Sequence, residues 1–414
     1  MDELNQQPVQ EKPSVFTLLK RLNPNSLPFW KKWSIGLAIS LLLIVTTIVL
    51  ATQQRSTSTY THEDYLPSLT TQPSETPIRT PTPSPSSQIS SPSARPTSSF
   101  PPTLTPAPNT SGGDEKKVLA IIFDPILENG QRLTIKKGWS ITEILFSQTI
   151  DFLKRVSAGN ANYKIVDRID VNSGWPQKID GFSYNEDSYL AAINGSTHHE
   201  PDTVDYLLII NTYDVCGKLN RGEIDELWLM GGPWFGFYES RLAGSGAYQY
   251  NSPPLGGTSC NKLLPIMGFS YERSYEEMVH DFGHRTEATM AKVYGSWAQN
   301  RMEHNWDKFA LTQKQSPNFT IVGCGSIHFP PNTTVEYVAS DAKEVDSYCD
   351  DFLQYPNLST SQDVKKTISC SAWGCTMLGF YDWWFRHIPR ADGVGPDGKL
   401  NNWWEYIVDP NKAL

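Results

Sequence analysis

Between Ser274 and Glu287 the chain reads Ser-Tyr-Glu-Glu-Met-Val-His-Asp-Phe-Gly-His-Arg-Thr-Glu, which places two histidines and several carboxylates within four helical turns. His280 and His284 are one turn apart on a helix, so both imidazoles can converge on a single divalent ion. Imidazole pairs favour zinc, and a catalytic zinc takes three protein ligands with water in the fourth place. Glu287 lies on the same face and offers a third ligand. A plainer reading is a polar face on which Glu276, His280, His284 and Glu287 pair with one another and with Arg273 or Arg285.

The elements that position these groups can be read outward from them. Ser274 followed by Glu277 has the spacing of a capping box, which starts a helix. Tyr275, Val279, Phe282, Thr286, Met290, Val293 and Trp297 then fall on one stripe that faces a core. Upstream, Lys117 to Phe123, Tyr163 to Val171, Tyr206 to Ile210, Glu226 to Met230 and Leu263 to Phe269 read as strands, with helices from Ser140 and over Val215 to Arg221. Continuous apolar runs separated by helices predict an α/β domain, a mainly parallel or mixed sheet covered by helices on both faces. Ligands of such sheets bind beyond the carboxyl ends of the strands. The residues there include Asp124, expected as a turn or helix-capping group, the loop Gly231 to Gly236, Glu239, expected to be solvated, and Tyr271. A further predicted strand, Phe319 to Val322, ends in a Gly-Cys-Gly and Pro-Pro loop that carries His328. That loop makes His328 the preferred third ligand, ahead of Glu287, because it should reach the same end of the sheet as the helix start.

Val279-His280-Asp281-Phe282-Gly283-His284 resembles the zincin metallopeptidase signature His-Glu-x-x-His, in which two histidines hold zinc and the glutamate between them is the general base. The resemblance covers about ten residues of 414, and Asp281, one methylene shorter, stands at the glutamate position. It implies that Asp281 orients or deprotonates a zinc-bound water, with Arg285 or Tyr271 stabilising a developing oxyanion. By likeness to the gluzincin branch, Glu303, 19 residues after His284, is another candidate ligand. The corresponding expectation is a zinc-dependent hydrolase acting on peptide or cell-surface polymer.

The rest of the chain predicts where such a domain works. Residues 33–52 form an uncharged run long enough, at about 1.5 Å per residue, to cross a hydrocarbon core of about 30 Å. Lys20, Arg21, Lys31 and Lys32 precede it and only Arg55 follows closely, which keeps residues 1–32 in the cytoplasm and the bulk of the chain outside. Residues 53–113, rich in Pro, Ser and Thr, predict a disordered stalk with a reach on the order of 150 Å if extended. All six cysteines lie in the domain at 114–414, and an even count on the outer side predicts disulfides. A net charge of −9 without a basic tract argues against nucleic acid as a partner. Trp373, Trp383, Trp384, Trp403 and Trp404 crowd the C-terminal part. They are expected mainly in the core, the alternative being a non-catalytic module that binds glycan or protein through them. Protease added to intact cells should therefore remove the large domain and leave a short membrane stub, whereas a soluble product starting near Thr52 would identify the apolar run as a cleaved signal peptide.

Overall fold

The computed structural model describes residues 113–195, 197–295, 303–314, 321–359 and 365–414. The tail, the apolar run 33–52 and nearly all of the stalk lie outside the described residues, as do Trp297 and the start of the strand expected from Phe319. No helix among the described residues is long and apolar enough to cross a membrane.

The domain is built on a five-stranded sheet in the order β2-β1-β3-β5-β4. Here β1 is Lys116–Phe123, β2 Tyr163–Val171, β3 Glu226–Gly231, β4 Ser240–Ala243 and β5 Leu264–Ser270. The first four in spatial order run parallel, and β4 closes the edge antiparallel to β5. Burial explains the sequence pattern: every residue of β3 and the last six of β1 are buried, as central parallel strands covered on both faces must be. Edge strand β2 alternates instead. The connecting helices are α1 Leu133–Lys137, α2 Thr142–Val156, α3 Glu186–Ile193, α4 Tyr206–Thr212, α5 Val215–Asn220 and α6 Tyr275–Tyr294.

Two expectations need correction. Tyr206 to Ile210 is not a strand but the core of α4, because Asp205 Oδ1 accepts from Leu208 N at 2.9 Å and caps a helix. The buried residues Tyr206, Ile209 and Ile210 then follow helical spacing. Strand β4 takes a place in the sheet that no apolar run announced. The capping box is also incomplete: Ser274 Oγ accepts from Glu276 N at 3.3 Å, but the Glu277 carboxylate accepts from Arg273 Nη1 at 2.6 Å instead of turning back to the cap. Asp124, by contrast, does cap: its two oxygens accept from Thr134 N and Oγ1 at the start of α1.

Helix α6 is buried nearly all round. Phe282 packs against Tyr163, Trp228 and Phe269 with ring centroids 5.5 to 6.3 Å apart. Beside this apolar contact, Arg285, fully buried, donates from Nη1 and Nη2 to the two oxygens of Glu226 on β3 at 2.8 and 2.7 Å, and from Nε to Ile407 O at 3.0 Å. A two-pronged pair of this kind fixes both the height and the rotation of the helix.

After α6 follow α7 Asn305–Phe309, the short strands β6 Ile321–Val322, β7 Val345–Ser347 and β8 Lys366–Ile368, helix α8 Met377–His387, the hairpin β9 Arg390–Val394 with β10 Leu400–Asn402, and α9 Trp403–Val408. Disulfides join Cys216 to Cys260, Cys324 to Cys349 and Cys370 to Cys375. Trp373, Trp384, Trp403 and Trp404 are buried, so the C-terminal tryptophans are core, and of the five only Trp383 is partly exposed. Replacing Arg285 by Ala should lower the free energy of unfolding, measured by urea titration, by about 3 to 5 kcal/mol, because Glu226 is left buried without a counter-charge. The double change Arg285→Met with Glu226→Leu should recover most of that loss.

Candidate metal centre

Helix α6 and the loop after β6 build the site together. His280, His284 and His328 each offer a ring nitrogen, and these atoms lie within 4.8 Å of one another. His284 Nε2 and His328 Nε2 approach to 2.9 Å. A tetrahedral ion held at about 2.0 to 2.1 Å from each nitrogen separates its ligands by about 3.3 Å, so this pair needs to part by only a few tenths of an ångström. The structure brings His328, expected from the sequence near this end of the sheet, beside His280 and His284 in a group that could hold a metal ion.

The loop reaches the helix because position 283 is glycine. A Cβ built on Gly283 would lie 2.2 Å from Ile327 Cδ1 and Cγ1. An interior helical glycine costs about 1 kcal/mol against alanine, and here it admits the residue next to His328. The loop is held from three further sides. Ile327 N donates to Glu287 Oε1 at 2.8 Å, Trp384 Nε1 on α8 donates to Gly325 O at 2.9 Å, and Cys324 is tied to Cys349. Ser326 and Phe329 exchange backbone hydrogen bonds at 3.0 Å, a tight turn with His328 inside it.

Two of the imidazoles have a partner on the ring nitrogen away from the cluster. Glu287 Oε2 lies 3.2 Å from His284 Nδ1, which turns Nε2 inward. Tyr381 Oη on α8 lies 3.1 Å from His280 Nδ1; Tyr337 Oη instead lies 3.0 Å from His328 Nε2, the same nitrogen that faces His284. Carboxylate and phenol groups behind metal-binding histidines set tautomer and ring angle. Glu287 is thus an orienting group for His284 and the loop, and it stands outside the histidine cluster as a ligand.

Burial, together with the neighbouring His284 and His328, lowers the pKa of His280 well below the ordinary histidine value. Burial, then His284, lowers that of His328 to about 3. Both are neutral imidazoles at physiological pH, the form that binds metal. For His284, burial opposes protonation, but the hydrogen bond to Glu287 and the charges of Glu239, Glu287 and Glu277 outweigh it and raise the pKa.

A second cluster adjoins the first. Glu239, Glu277 and Asp281 each present a carboxylate oxygen within 4.8 Å of the others. Glu239 Oε2 is 3.7 Å from His284 Nε2 and accepts from Asn251 Nδ2. Asp281 is 2% exposed and its Oδ1 has no hydrogen-bond partner. Burial first, then the Glu239 and Glu277 charges, raise its pKa well above the usual carboxylate range. Burial also raises that of Glu277, against the pull of Arg273.

The remaining expected site residues lie elsewhere. Arg285 is committed to Glu226 on the sheet side of the helix and cannot turn to an oxyanion without breaking that pair. Tyr271 is fully buried, with its N–H on Gly231 O at 3.0 Å and its hydroxyl on Phe123 O at 2.9 Å, a latch across the ends of β1, β3 and β5. Glu303 is exposed beside His304, whose ring lies 5.8 Å from that of Tyr294. Tyr294 is ten residues beyond His284, about 15 Å along the helix, so Glu303 is at the wrong end. Sequence reasoning missed Glu239 as a participant, although its place just after the glycine-rich loop beyond β3 was a signal. No signal marked Tyr337 or Tyr381.

Comparison with protein-family models, with characterised proteins and with solved structures found no match, so the site has to be interpreted from its own geometry. Gly283→Ala should weaken divalent-metal binding at least tenfold, read by competition with a chromogenic chelator. Adding Ile327→Ala, which vacates the space the new methyl takes, should restore part of it. Glu287→Gln should cost about 10- to 100-fold in the same assay.

Proposed function

We propose that His280, His284 and His328 hold a zinc ion and that the domain is a metal-dependent hydrolase of peptide or cell-surface polymer. The observation that carries this reading is three imidazoles converging from two separate elements, with Tyr381 behind His280 and Glu287 behind His284. Structural zinc sites close the fourth position with a further protein ligand, whereas three ligands beside an accessible flank leave room for water. Here His284, His328 and Glu239 are partly exposed and Tyr337 at the rim is exposed. Zinc at such a site lowers the pKa of bound water toward about 7 and polarises a substrate carbonyl. Glu239 is the carboxylate best placed to take the proton from that water, being 3.7 Å from His284 Nε2. Asp281 has the position of the zincin base, but its carboxyl is buried with Oδ1 unpartnered, which favours the protonated form and makes it the poorer choice of base. Tyr337, 3.0 Å from His328 Nε2, is a donor for a developing oxyanion in place of Arg285 and Tyr271.

The membrane tether and stalk expected from residues 1–113 would carry this activity outside the cell, where disulfides form. The buried tryptophans weaken the alternative of a glycan-binding module at the C-terminus. Elemental analysis of the purified protein should find about one zinc per chain, falling below about a tenth in His280→Ala and His284→Ala. With zinc present, Glu239→Gln should lower release of amines or reducing ends from cell-envelope polymer by about 10²-fold or more. Absence of metal from a protein purified with zinc throughout would end the metal reading. Bound zinc without turnover on any polymer would leave a binding protein.

A further inference from the structure

We propose that Glu277, Asp281 and Glu239 form a second cation site beside the three histidines, and that it takes a hard divalent ion such as Mn²⁺ or Mg²⁺. Three carboxylates within 4.8 Å of one another are not a site by themselves, since acidic groups gather on many surfaces. The second observation is Asp281. It is 2% exposed, its Oδ1 is buried without a hydrogen-bond partner, and it belongs to this cluster. A carboxylate oxygen in that position lacks the compensation that buried polar groups nearly always have, and a cation supplies it directly.

The donors set the kind of ion. All three are carboxylates, which suit oxygen-preferring Mg²⁺, Ca²⁺ and Mn²⁺, whereas the imidazoles next to them suit zinc. Three carboxylates with water completing the shell fit the six-coordinate habit of Mg²⁺ and Mn²⁺ better than the six to eight oxygens that Ca²⁺ requires. Charge agrees: the cluster brings three carboxylates, and among its neighbours Arg273 reaches only Glu277, through Oε1 at 2.6 Å. Glu277 keeps its other oxygen for a ligand. Glu239 links the two centres, since its Oε2 faces His284 Nε2 and Asn251 while Oε1 remains to reach the second ion. Paired metals sharing a carboxylate clamp both the attacking and the leaving oxygen of a hydrolysed bond. The site extends the zinc reading; of its ligands only Glu239 has a part there, as base and not as zinc ligand, so either ion can be lost while the other is kept.

The test loads the purified full-length chain with one equivalent of Zn²⁺ and titrates it with Mn²⁺, following free Mn²⁺ by electron paramagnetic resonance. Zinc keeps the imidazoles because it outranks manganese for nitrogen ligands. The expected result is one Mn²⁺ bound per zinc-loaded chain, with affinity reduced at least tenfold in Glu277→Gln and again in Glu239→Gln, each retaining its zinc. Two variants on different elements guard against a folding defect in one, and retained zinc reports an intact helix. No uptake of Mn²⁺ by zinc-loaded protein, or uptake that neither variant weakens, would overturn the second site and leave Asp281 as a protonated acid beside a single zinc. Uptake of Mn²⁺ that is lost in both variants, in a chain that refuses zinc, would support the carboxylate site and remove the histidine one.

Discussion

The two-pronged contact between Arg285 and Glu226 sets the orientation on which the rest of the domain depends. A helix lying on a sheet can roll about its axis, and an apolar stripe alone tolerates roll because side chains repack. A guanidinium gripping a carboxylate at the start of a central strand does not, since both ends are buried and any rotation strands a charge. With Arg285 locked downward, the 100° step of the helix carries His284 and His280 to the flank where the loop after β6 arrives. Pair and cluster are therefore one construction: the first fixes the angle at which the second is presented.

Around that helix the chain concentrates ionisable groups that solvent would ordinarily separate. His280, Asp281, Arg285 and Glu287 are all buried, and each is balanced differently. Arg285 has a carboxylate, and Glu287 has an imidazole and a backbone N–H. His280 gives up its charge, and Asp281 leaves its buried Oδ1 without a hydrogen-bond partner. A core built for stability alone would have replaced these groups by apolar side chains of similar volume. Their retention on one face, next to an aromatic core, separates this flank of α6 from the packing around it.

Much of this was legible in the amino-acid order, and the failures have definite causes. The strands beyond Lys117, Glu226 and Leu263 stand out because central parallel strands must be apolar on both faces, and the one from Tyr163 because an edge strand alternates. His328 could be reached because ligands gather past strand ends, and the zincin-like hexapeptide marked His280 and His284. Tyr206 to Ile210 misled because a five-residue apolar run has no period of its own, and Asp205 decided the matter. Arg285 and Tyr271 were drawn to the site by proximity in sequence, but neighbours on a helix point 100° apart and a tyrosine at a strand end can as well turn inward. Glu239 was set aside as solvated because its significance lies in a contact with a residue 45 positions away. Such contacts exist only once the sheet has formed.

The bridge between Cys324 and Cys349 closes a loop of which His328 is a member. Thiols stay reduced in the cytosol of most cells and are oxidised only beyond it, so a chain still inside would present the helix pair with its third imidazole on a slack tether. If the three imidazoles hold an ion as proposed, closure of the bridge comes before the full set of nitrogens is in place. Oxidation of this one bridge would then gate the proposed ion site, whose third nitrogen is held in place only where disulfides can form.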